Sequence, residues 1–266
     1  MTTQLAKAQR FRALHDADGA FVIPNPWDAG TAKLLESLGF EALATTSSGF
    51  AHTLGRPDGS VSLEEKLEHC RAICAATDIP VSADLENGYT DSLDGIADTI
   101  RRAAETGVVG GSIEDYSGDP SSPIYEHSLA VERVHAAVEA ARSLDFPFTL
   151  TARAEGLLHG HADLDDAIRR LQAFEAVGAD VLYAPALRTL DEVRSVTAAV
   201  RKPVNVLAPF LSNATVAELA VAGAKRISIG GALARATLAP LLSATKEMQK
   251  LGSFAWTNDL PRFPSS

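Results

Sequence analysis

The stretch "IPVSADLENGY" (79–89) contains the unit that predicts the fold: a short apolar strand, a polar end and a break at Asn87-Gly88. Residues i and i+2 of a strand share a face, so Asp84 and Glu86 are predicted to point the same way. Two carboxylates on one face repel each other unless a cation lies between them. The stretch therefore predicts a strand whose C-terminal end carries a charged site.

Similar apolar runs recur along the chain and alternate with helical patterns. They predict eight strands, in the ranges 20–25, 40–47, 79–86, 108–115, 148–155, 179–186, 202–209 and 224–231. Several helical patterns start at a residue suited to an N-cap and end at a glycine, as at Ser62, Asp163, Ser212, Gly39, Gly107, Gly178 and Gly223.

Eight strand–helix units in 266 residues predict a (β/α)8 barrel. We expect residues 1–266 to form one barrel domain, with a short N-terminal helix and a C-terminal tail. A doubly wound open sheet is the alternative, because the periodicity gives the units without showing whether the sheet closes.

The composition limits the partners. Hydrophobic residues make up 46% of the chain, which allows a large core, and the net charge of −10 argues against nucleic acid or an anionic membrane surface as partner. No apolar run approaches the roughly 20 residues of a membrane span, and the N-terminal stretch lacks the apolar segment of a secretory signal. We therefore expect a cytoplasmic protein with a small-molecule ligand, in which Cys70 and Cys74 are free thiols.

The active site of a barrel of this kind lies at the C-terminal ends of its strands. Those ends are polar here, with Asn25, Asp84, Glu86, Glu114, Asp115, Arg153, Glu155, Tyr183 and Asn205. Buried carboxylates need an ion pair, a proton or a metal ion. Carboxylate oxygens without neighbouring Cys or His favour Mg²⁺ or Mn²⁺ over zinc, and a purely structural set of ion pairs is the alternative interpretation.

Four motifs, in this order and spacing, resemble those of the isocitrate lyase and phosphoenolpyruvate mutase superfamily. They are "TTSSGFAHTLGRPDGS" (45–60), "PVSADLENGY" (80–89), "GGSIEDYS" (110–117) and "TARAEG" (151–156). The resemblance implies a barrel whose last helix is exchanged between the subunits of a homo-oligomer, a dimer or tetramer. It also implies that Mg²⁺ binds a 2-oxo or 2-hydroxy carboxylate, and that a C–C or P–C bond is made or broken through an enolate.

The resemblance carries roles to individual residues. It implies that Asp84 and Glu86 hold Mg²⁺. It implies catalytic roles for Asp58, Glu114 and Arg153, and substrate contacts for Ser48, Gly49, Phe50, Trp27, Arg153, Tyr183 and Asn205.

The loop "YSGDPSSPIYEHS" (116–128) departs from this pattern, because it contains no Lys and no Cys. Lyases of the superfamily carry a Lys-Lys-Cys-Gly-His loop here, whose Cys supplies a proton. The remaining proton-transfer groups are Tyr116, Tyr125, Glu126 and His127, and Tyr116 is the predicted catalytic one.

The predicted function is a Mg²⁺-dependent lyase that cleaves a C–C bond α to the carbonyl of a small 2-oxo or 2-hydroxy (di)carboxylate. One alternative is a hydrolase or mutase that acts on phosphonopyruvate or oxaloacetate. The other is a relative that binds carboxylates without catalysis.

Overall fold

The computed structural model describes residues 2–161 and 163–261. Within them, eight parallel strands form one sheet in the order β1-β8-β7-β6-β5-β4-β3-β2. The strands are β1 (Phe21–Ile23), β2 (Leu43–Ala44), β3 (Val81–Asp84), β4 (Gly110–Glu114), β5 (Thr149–Arg153), β6 (Val181–Tyr183), β7 (Val204–Leu207) and β8 (Arg226–Ser228). Each strand lies inside its predicted range, so the predicted strand pattern is confirmed.

The sheet curls into a barrel. The first and second strands come together where the N–H of Ala44 donates to the carbonyl of Pro24 over 3.1 Å. Helices follow the strands on the outside: α1 (Gln4–Asp16), α2 (Ala29–Ser37), α3 (Ser47–Thr53), α4 (Leu63–Ala76), α5 (Leu93–Ala104), α6 (His127–Arg142), α7 (Leu164–Ala176), α8 (Leu190–Ala199), α9 (Val216–Val221), α10 (Ala232–Ala236) and α11 (Leu238–Leu251). The (β/α)8 prediction is confirmed, and the open-sheet alternative is wrong because the sheet returns on itself.

Strand register brings the polar strand ends to one level. Glu114 pairs with Arg153 across β4 and β5, and Arg153 pairs with Tyr183 across β5 and β6. Asp84 pairs with Ser112 on the neighbouring strand. Because all strands are parallel, these side chains meet at a single end of the barrel.

The prediction that Asp84 and Glu86 share one strand face is wrong. The third strand ends at Asp84, and Glu86 takes a left-handed backbone conformation with φ of 50°. Alternation of side chains holds only while the backbone stays extended, so Glu86 turns away from the direction that period 2 would give it.

The helix ends largely follow the predicted caps. Ser62 and Asp163 accept N–H hydrogen bonds as the N-caps of α4 and α7, whereas Thr215 caps α9 in place of the predicted Ser212. Ser212 instead follows a short 3₁₀ helix, Ala208–Leu211, which lengthens the connection before α9. Gly178 has φ of 103°, a conformation that favours glycine where α7 turns into the next strand.

The first helix and the tail lie at opposite ends of the chain. Ala8 and Phe11 of α1 pack against Ile23 and Val109 of the barrel. The predicted C-terminal tail contains a 3₁₀ helix, Ala255–Asp259, and its residues 262–266 lie outside the described part of the chain. In the described ranges, no helix combines the length and the apolar character needed to cross a membrane.

Candidate active site

A central cavity of about 310 Å³ opens at the C-terminal ends of the strands. Every strand or the loop after it contributes to its wall, with Asn25, Thr45, Asp84, Ser112, Arg153, Tyr183, Asn205 and Ser228 among the lining residues. Its position is the one that the barrel fold reserves for active sites, and its volume suits a small metabolite.

Asp84 is held by hydrogen bonds on both carboxylate oxygens. Oδ1 accepts from Arg153 Nη1 over 2.9 Å, and Oδ2 accepts from the N–H of Ser47 over 3.1 Å. Its own N–H donates to Thr45 Oγ1 over 2.9 Å. These contacts fix the carboxylate at the cavity wall, although its side chain keeps 15% of its surface exposed.

Arg153 forms the centre of a group of ion pairs. Its Nη1 lies 2.9 Å from Asp84 Oδ1 and 3.2 Å from Glu114 Oε2, and its Nε donates to Glu155 Oε1 over 2.7 Å. The guanidinium also lies over the ring of Tyr183, 5.1 Å from its centroid. Arg153 is therefore paired with three carboxylates of the chain itself, which limits the donors left for a substrate.

Glu86 faces a second cavity beside the central one. We call it the side cavity; it measures about 390 Å³ and is lined by Glu86, Tyr89, Glu114 and Tyr116 among others. Tyr89 donates its hydroxyl hydrogen to Glu86 Oε1 over 2.9 Å. Glu114 forms an ion pair with Arg153 and also lines the side cavity. The central and side cavities are therefore bordered by neighbouring carboxylates.

The pKa values of these carboxyl groups follow from burial and nearby charge. Burial alone would raise the pKa of Asp84, but the positive charges of Arg153 and Lys66 lower it. Burial and then the charge of Asp84 raise the pKa of Glu86 to about 6. Burial raises the pKa of Glu114 well above its usual range, despite the contact with Arg153. A cation near these groups would favour their ionised forms.

The donor set fits magnesium better than zinc. Within residues 2–161 and 163–261, no three or more His, Cys, Asp or Glu side chains are spaced to enclose an ion. Zinc needs three or four such ligands, whereas Mg²⁺ keeps several waters and is usually held through one or two carboxylates. Asp84, at the central cavity, and Glu86, at the side cavity, are the candidates for a pair of this kind.

The predicted substrate turn forms the start of α3. Ser48 lines the central cavity, whereas the N–H of Gly49 donates to Thr46 Oγ1 over 3.2 Å and is already used by the helix cap. A Cβ at Gly49 would lie 2.6 Å from Thr46 Cγ2 and 3.2 Å from Trp27 Cβ, so this close approach requires glycine.

Two predicted contact residues lie behind this turn. The ring of Phe50 stacks on His69 with centroids 3.9 Å apart, and His69 Nε2 lies 2.9 Å from the carbonyl oxygen of Trp27. Among the described residues, neither Phe50 nor Trp27 belongs to the wall of the central cavity. Both contribute packing beneath the turn.

Three further predicted residues, Asp58, Tyr183 and Asn205, line the central cavity. Asp58 lies in the exposed loop after α3 and reaches the cavity wall. Tyr183 and Asn205 are buried in the wall, and Asn205 Nδ2 donates to Ser228 Oγ over 2.9 Å.

The loop after β4 folds back on itself. Tyr116 pairs with Ile124 in an isolated bridge, and its ring stacks on His159 with centroids 3.8 Å apart. The hydroxyl of Tyr125 donates to Asp91 over 3.0 Å, and Glu126 caps α6 by accepting the N–H of Ser128. Of the proton-transfer groups predicted in this loop, Tyr116 is the one that the structure places in the wall of the side cavity.

Two of the buried cations, both near the candidate site, were not identified from the sequence. Lys66 on α4 is fully buried, and Arg226 on β8 is 5% exposed and lines the central cavity. The signal for Arg226 was present in "AKRISIGG" (224–231), where a charged residue interrupts an apolar strand. Lys66 occurs in a helical pattern with charged neighbours, which gave no such signal.

The chain has clear relatives among known proteins. A family model described as phosphoenolpyruvate phosphomutase matches residues 11–249. The 2-methylisocitrate lyase of Escherichia coli K12 is 30% identical over 202 residues, which cover 73% of this chain and 67% of that protein. The oxaloacetate decarboxylase of Paraburkholderia xenovorans LB400 is 29% identical over 203 residues, 73% of this chain and 66% of that one.

Solved structures share the fold over nearly the whole chain. A candidate lyase/mutase of Burkholderia cenocepacia J2315 is 53% identical, with a TM-score of 0.95 over 97% of this chain and 93% of that chain. A phosphonopyruvate hydrolase in complex with oxalate and Mg²⁺ is 23% identical, with a TM-score of 0.88 over 98% of this chain and 92% of that chain. At 23% identity, the similarity to the phosphonopyruvate hydrolase shows a shared fold alone.

Proposed function

The chain belongs to the isocitrate lyase and phosphoenolpyruvate mutase superfamily, and we propose that it is a Mg²⁺-dependent lyase acting on a small 2-oxo or 2-hydroxy (di)carboxylate. The bond cleaved is a C–C bond α to the carbonyl. The observation that carries the proposal is the contact of Arg153 with Asp84 and Glu114 at the mouth of the barrel, with Glu86 alongside. The relatives named 2-methylisocitrate lyase and oxaloacetate decarboxylase support this reaction class.

Asp84 and Glu86 are the proposed metal residues, and Asp58 and Glu114 the acidic residues around them. Mg²⁺, or Mn²⁺ in its place, would supply Lewis-acid stabilisation of the negative charge that develops on the substrate oxygen. Support comes from the superfamily fold itself, because the phosphonopyruvate hydrolase that shares it was solved with oxalate and Mg²⁺. The hydrogen bonds on Asp84 orient its carboxylate before any cation arrives.

Substrate binding is proposed to use the rest of the cavity wall. Ser48, Tyr183 and Asn205 line the space next to Asp84 and offer neutral hydrogen-bonding groups. Arg153 orients Asp84 and Glu114 and adds positive charge beside the reacting carboxylate. In this proposal, Gly49 allows the turn to pack closely against Thr46 and Trp27, and Phe50 packs behind the turn.

Tyr116 is the proposed proton-transfer residue. The loop at 116–128 has neither Lys nor Cys, and the phenol of Tyr116 belongs to the same side cavity as Glu86 and Glu114. A positioned phenol can protonate an enolate if the hydroxyl reaches the carbon that loses its substituent. The stack on His159 holds the ring of Tyr116 in place.

A substrate panel tests the proposal. The purified chain is incubated with oxaloacetate, 2-methylisocitrate, 2,3-dimethylmalate or phosphonopyruvate, with Mg²⁺ or with EDTA, and the products are identified by proton NMR. We expect release of pyruvate or succinate from a C–C substrate, only with Mg²⁺. Turnover of phosphonopyruvate alone would favour the hydrolase or mutase alternative, and Mg²⁺-dependent oxalate binding without any turnover would favour a non-catalytic carboxylate-binding protein.

A further inference from the structure

Arg226 starts on the side of the barrel opposite the acidic residues and reaches across its interior. The sheet order places β8 between β1 and β7, away from β3 and β4, and the guanidinium of Arg226 reaches Thr151 on β5. Arg226 begins β8 and pairs in register with Asn205 on β7. It is 5% exposed, and it belongs to the wall of the same cavity as Asp84.

The guanidinium of Arg226 has only neutral partners. Its Nε donates to Asn205 Oδ1 over 2.8 Å, and its Nη2 donates to Thr151 Oγ1 over 3.0 Å. Its Nη1 is buried and has no hydrogen-bond partner within the described residues. In residues 2–161 and 163–261, no carboxylate lies within ion-pair distance of it. An Arg side chain carries five N–H donors, so three of them are left for another group.

A buried cation without a counter-charge is costly, because burial removes its water without replacing it by an anion. Burial accordingly lowers the pKa of Arg226 to about 10. Arg153, in the same cavity, differs in that it contacts three carboxylates of the chain. The cavity thus has an acidic wall, where Asp84 pairs with Arg153, and a second cation, Arg226, without an anion.

We infer that Arg226 binds the second carboxylate of the substrate, at the end of the molecule away from Asp84. The inference rests on the proposed function and narrows its substrate class to dicarboxylates. Asn205 accepts the hydrogen bond from Nε of Arg226. Nη1 and Nη2 still have free N–H groups, and a carboxylate can accept two parallel hydrogen bonds from this edge of the guanidinium. Asn205 and Thr151 are positioning residues that fix the plane of the guanidinium.

Two ligands of different length test the inference by calorimetric titration in the presence of Mg²⁺. Oxalate has two carbons and reaches only the acidic wall, whereas 3,3-difluorooxaloacetate has four carbons and a carboxylate at each end. In Arg226→Met, we expect the affinity for 3,3-difluorooxaloacetate to fall by about tenfold or more, since a hydrogen bond to a charged group is lost. The affinity for oxalate should stay within about threefold of that of the wild type, as expected for a ligand that does not touch Arg226.

The variant Arg226→Lys keeps the positive charge and covers the case in which Arg226→Met does not fold. It should bind 3,3-difluorooxaloacetate more weakly than the wild type, because lysine lacks the planar pair of donors, and should bind oxalate normally. Equal losses for both ligands, or no loss for the longer one, would overturn the role of Arg226. If the wild type fails to bind oxalate with Mg²⁺, the proposed function itself fails, and that outcome is distinct.

Discussion

Arg153 donates hydrogen bonds to Asp84 from Nη1 and to Glu155 from Nε, and the same planar group forms an ion pair with Glu114. A lysine at this position has a single ammonium on a flexible stem and cannot reproduce that fork. The positions of the proposed metal-binding and catalytic carboxylates therefore depend on the geometry of this side chain as well as on its charge.

We predict that Arg153→Lys lowers kcat/KM by roughly 10- to 150-fold, because the loss of hydrogen bonds to charged groups costs about 1.5–3 kcal/mol. Steady-state kinetics on the substrate found in the panel measures this. Arg142→Lys is the matched control, because Arg142 pairs with Asp180 outside the cavity over 2.7 Å. Unchanged kinetics in Arg153→Lys would show that the carboxylate positions do not depend on the guanidinium.

Lys66 is a second cation near the proposed metal residues. It is fully buried, its Nζ has no hydrogen-bond partner among the described residues, and its charge lowers the pKa values of both Asp84 and Glu86. A fixed ammonium that stabilises these carboxylates also repels a cation that binds between them.

We predict that Lys66→Met tightens Mg²⁺ binding by about threefold or more at pH 8, since the repulsion is removed. Calorimetric titration with Mg²⁺ measures the affinity. Lys7→Met is the matched control, because Lys7 is also buried but donates to the carbonyl of Thr77, away from Asp84. Weaker or equal Mg²⁺ binding in Lys66→Met would be inconsistent with this electrostatic role.

At the scale of elements, the loop between β4 and α6 carries the proposed proton-transfer residue. Its two tyrosines have different surroundings, since Tyr116 lines the side cavity and Tyr125 is held by Asp91 and by the guanidinium of Arg133, 4.2 Å from its ring centroid. Tyr116 is thus the phenol available for the proposed proton transfer, whereas Tyr125 is held in the structure of the loop.

We predict that Tyr116→Phe lowers kcat by about 100-fold, the low end of what a general acid contributes, and leaves Mg²⁺ affinity unchanged. The phenylalanine keeps a ring that can stack on His159. Cys70→Ser is the control for the missing loop cysteine, because burial raises the pKa of Cys70 to about 11 and its thiol lies on α4. Full activity in Tyr116→Phe would assign the proton transfer to another group.

The regular elements were predictable because each depends on local pattern. The strands follow apolar runs, and the N-caps of α4 and α7 follow Ser62 and Asp163. The prediction for Glu86 failed because the backbone leaves the extended conformation there, with φ of 50°. Arg226 needed the barrel to be closed, because only the closed sheet brings it to the same cavity as Asp84.

At the scale of the whole molecule, α11 exposes several large apolar side chains. None of the 14 residues of α11, all of them described, is buried. Leu241, Leu242, Leu251 and the following Phe254 are 60%, 55%, 76% and 63% exposed. Large apolar side chains left exposed along a whole helix favour contact with another protein. We propose that the chain, as one barrel domain, forms a homo-oligomer, a dimer or tetramer, in which α11 packs on a neighbouring subunit.

We predict that light scattering at micromolar concentration gives a dimer or tetramer for the wild type. The double variant Leu241→Glu and Leu242→Glu should shift the mass to that of a monomer, because two charges would have to be buried in the contact. Val221→Glu on α9 is the control, since Val221 is 81% exposed elsewhere on the surface. A monomeric wild type would rule out this assembly.

The central claim is that a cation held at Asp84 and Glu86 binds a carboxylate ligand at the mouth of the barrel. Calorimetric titration of oxalate into the wild type and into Asp84→Asn, each with Mg²⁺ and with EDTA, tests it without knowledge of the substrate. Asp119→Asn, in the exposed part of the loop after β4, serves as the control for loss of a carboxylate. We predict oxalate binding to the wild type and to Asp119→Asn only with Mg²⁺, and a loss of about tenfold or more in Asp84→Asn, because an amide is a weaker Mg²⁺ ligand than a carboxylate. Equally tight binding in EDTA, or in Asp84→Asn, would contradict the claim.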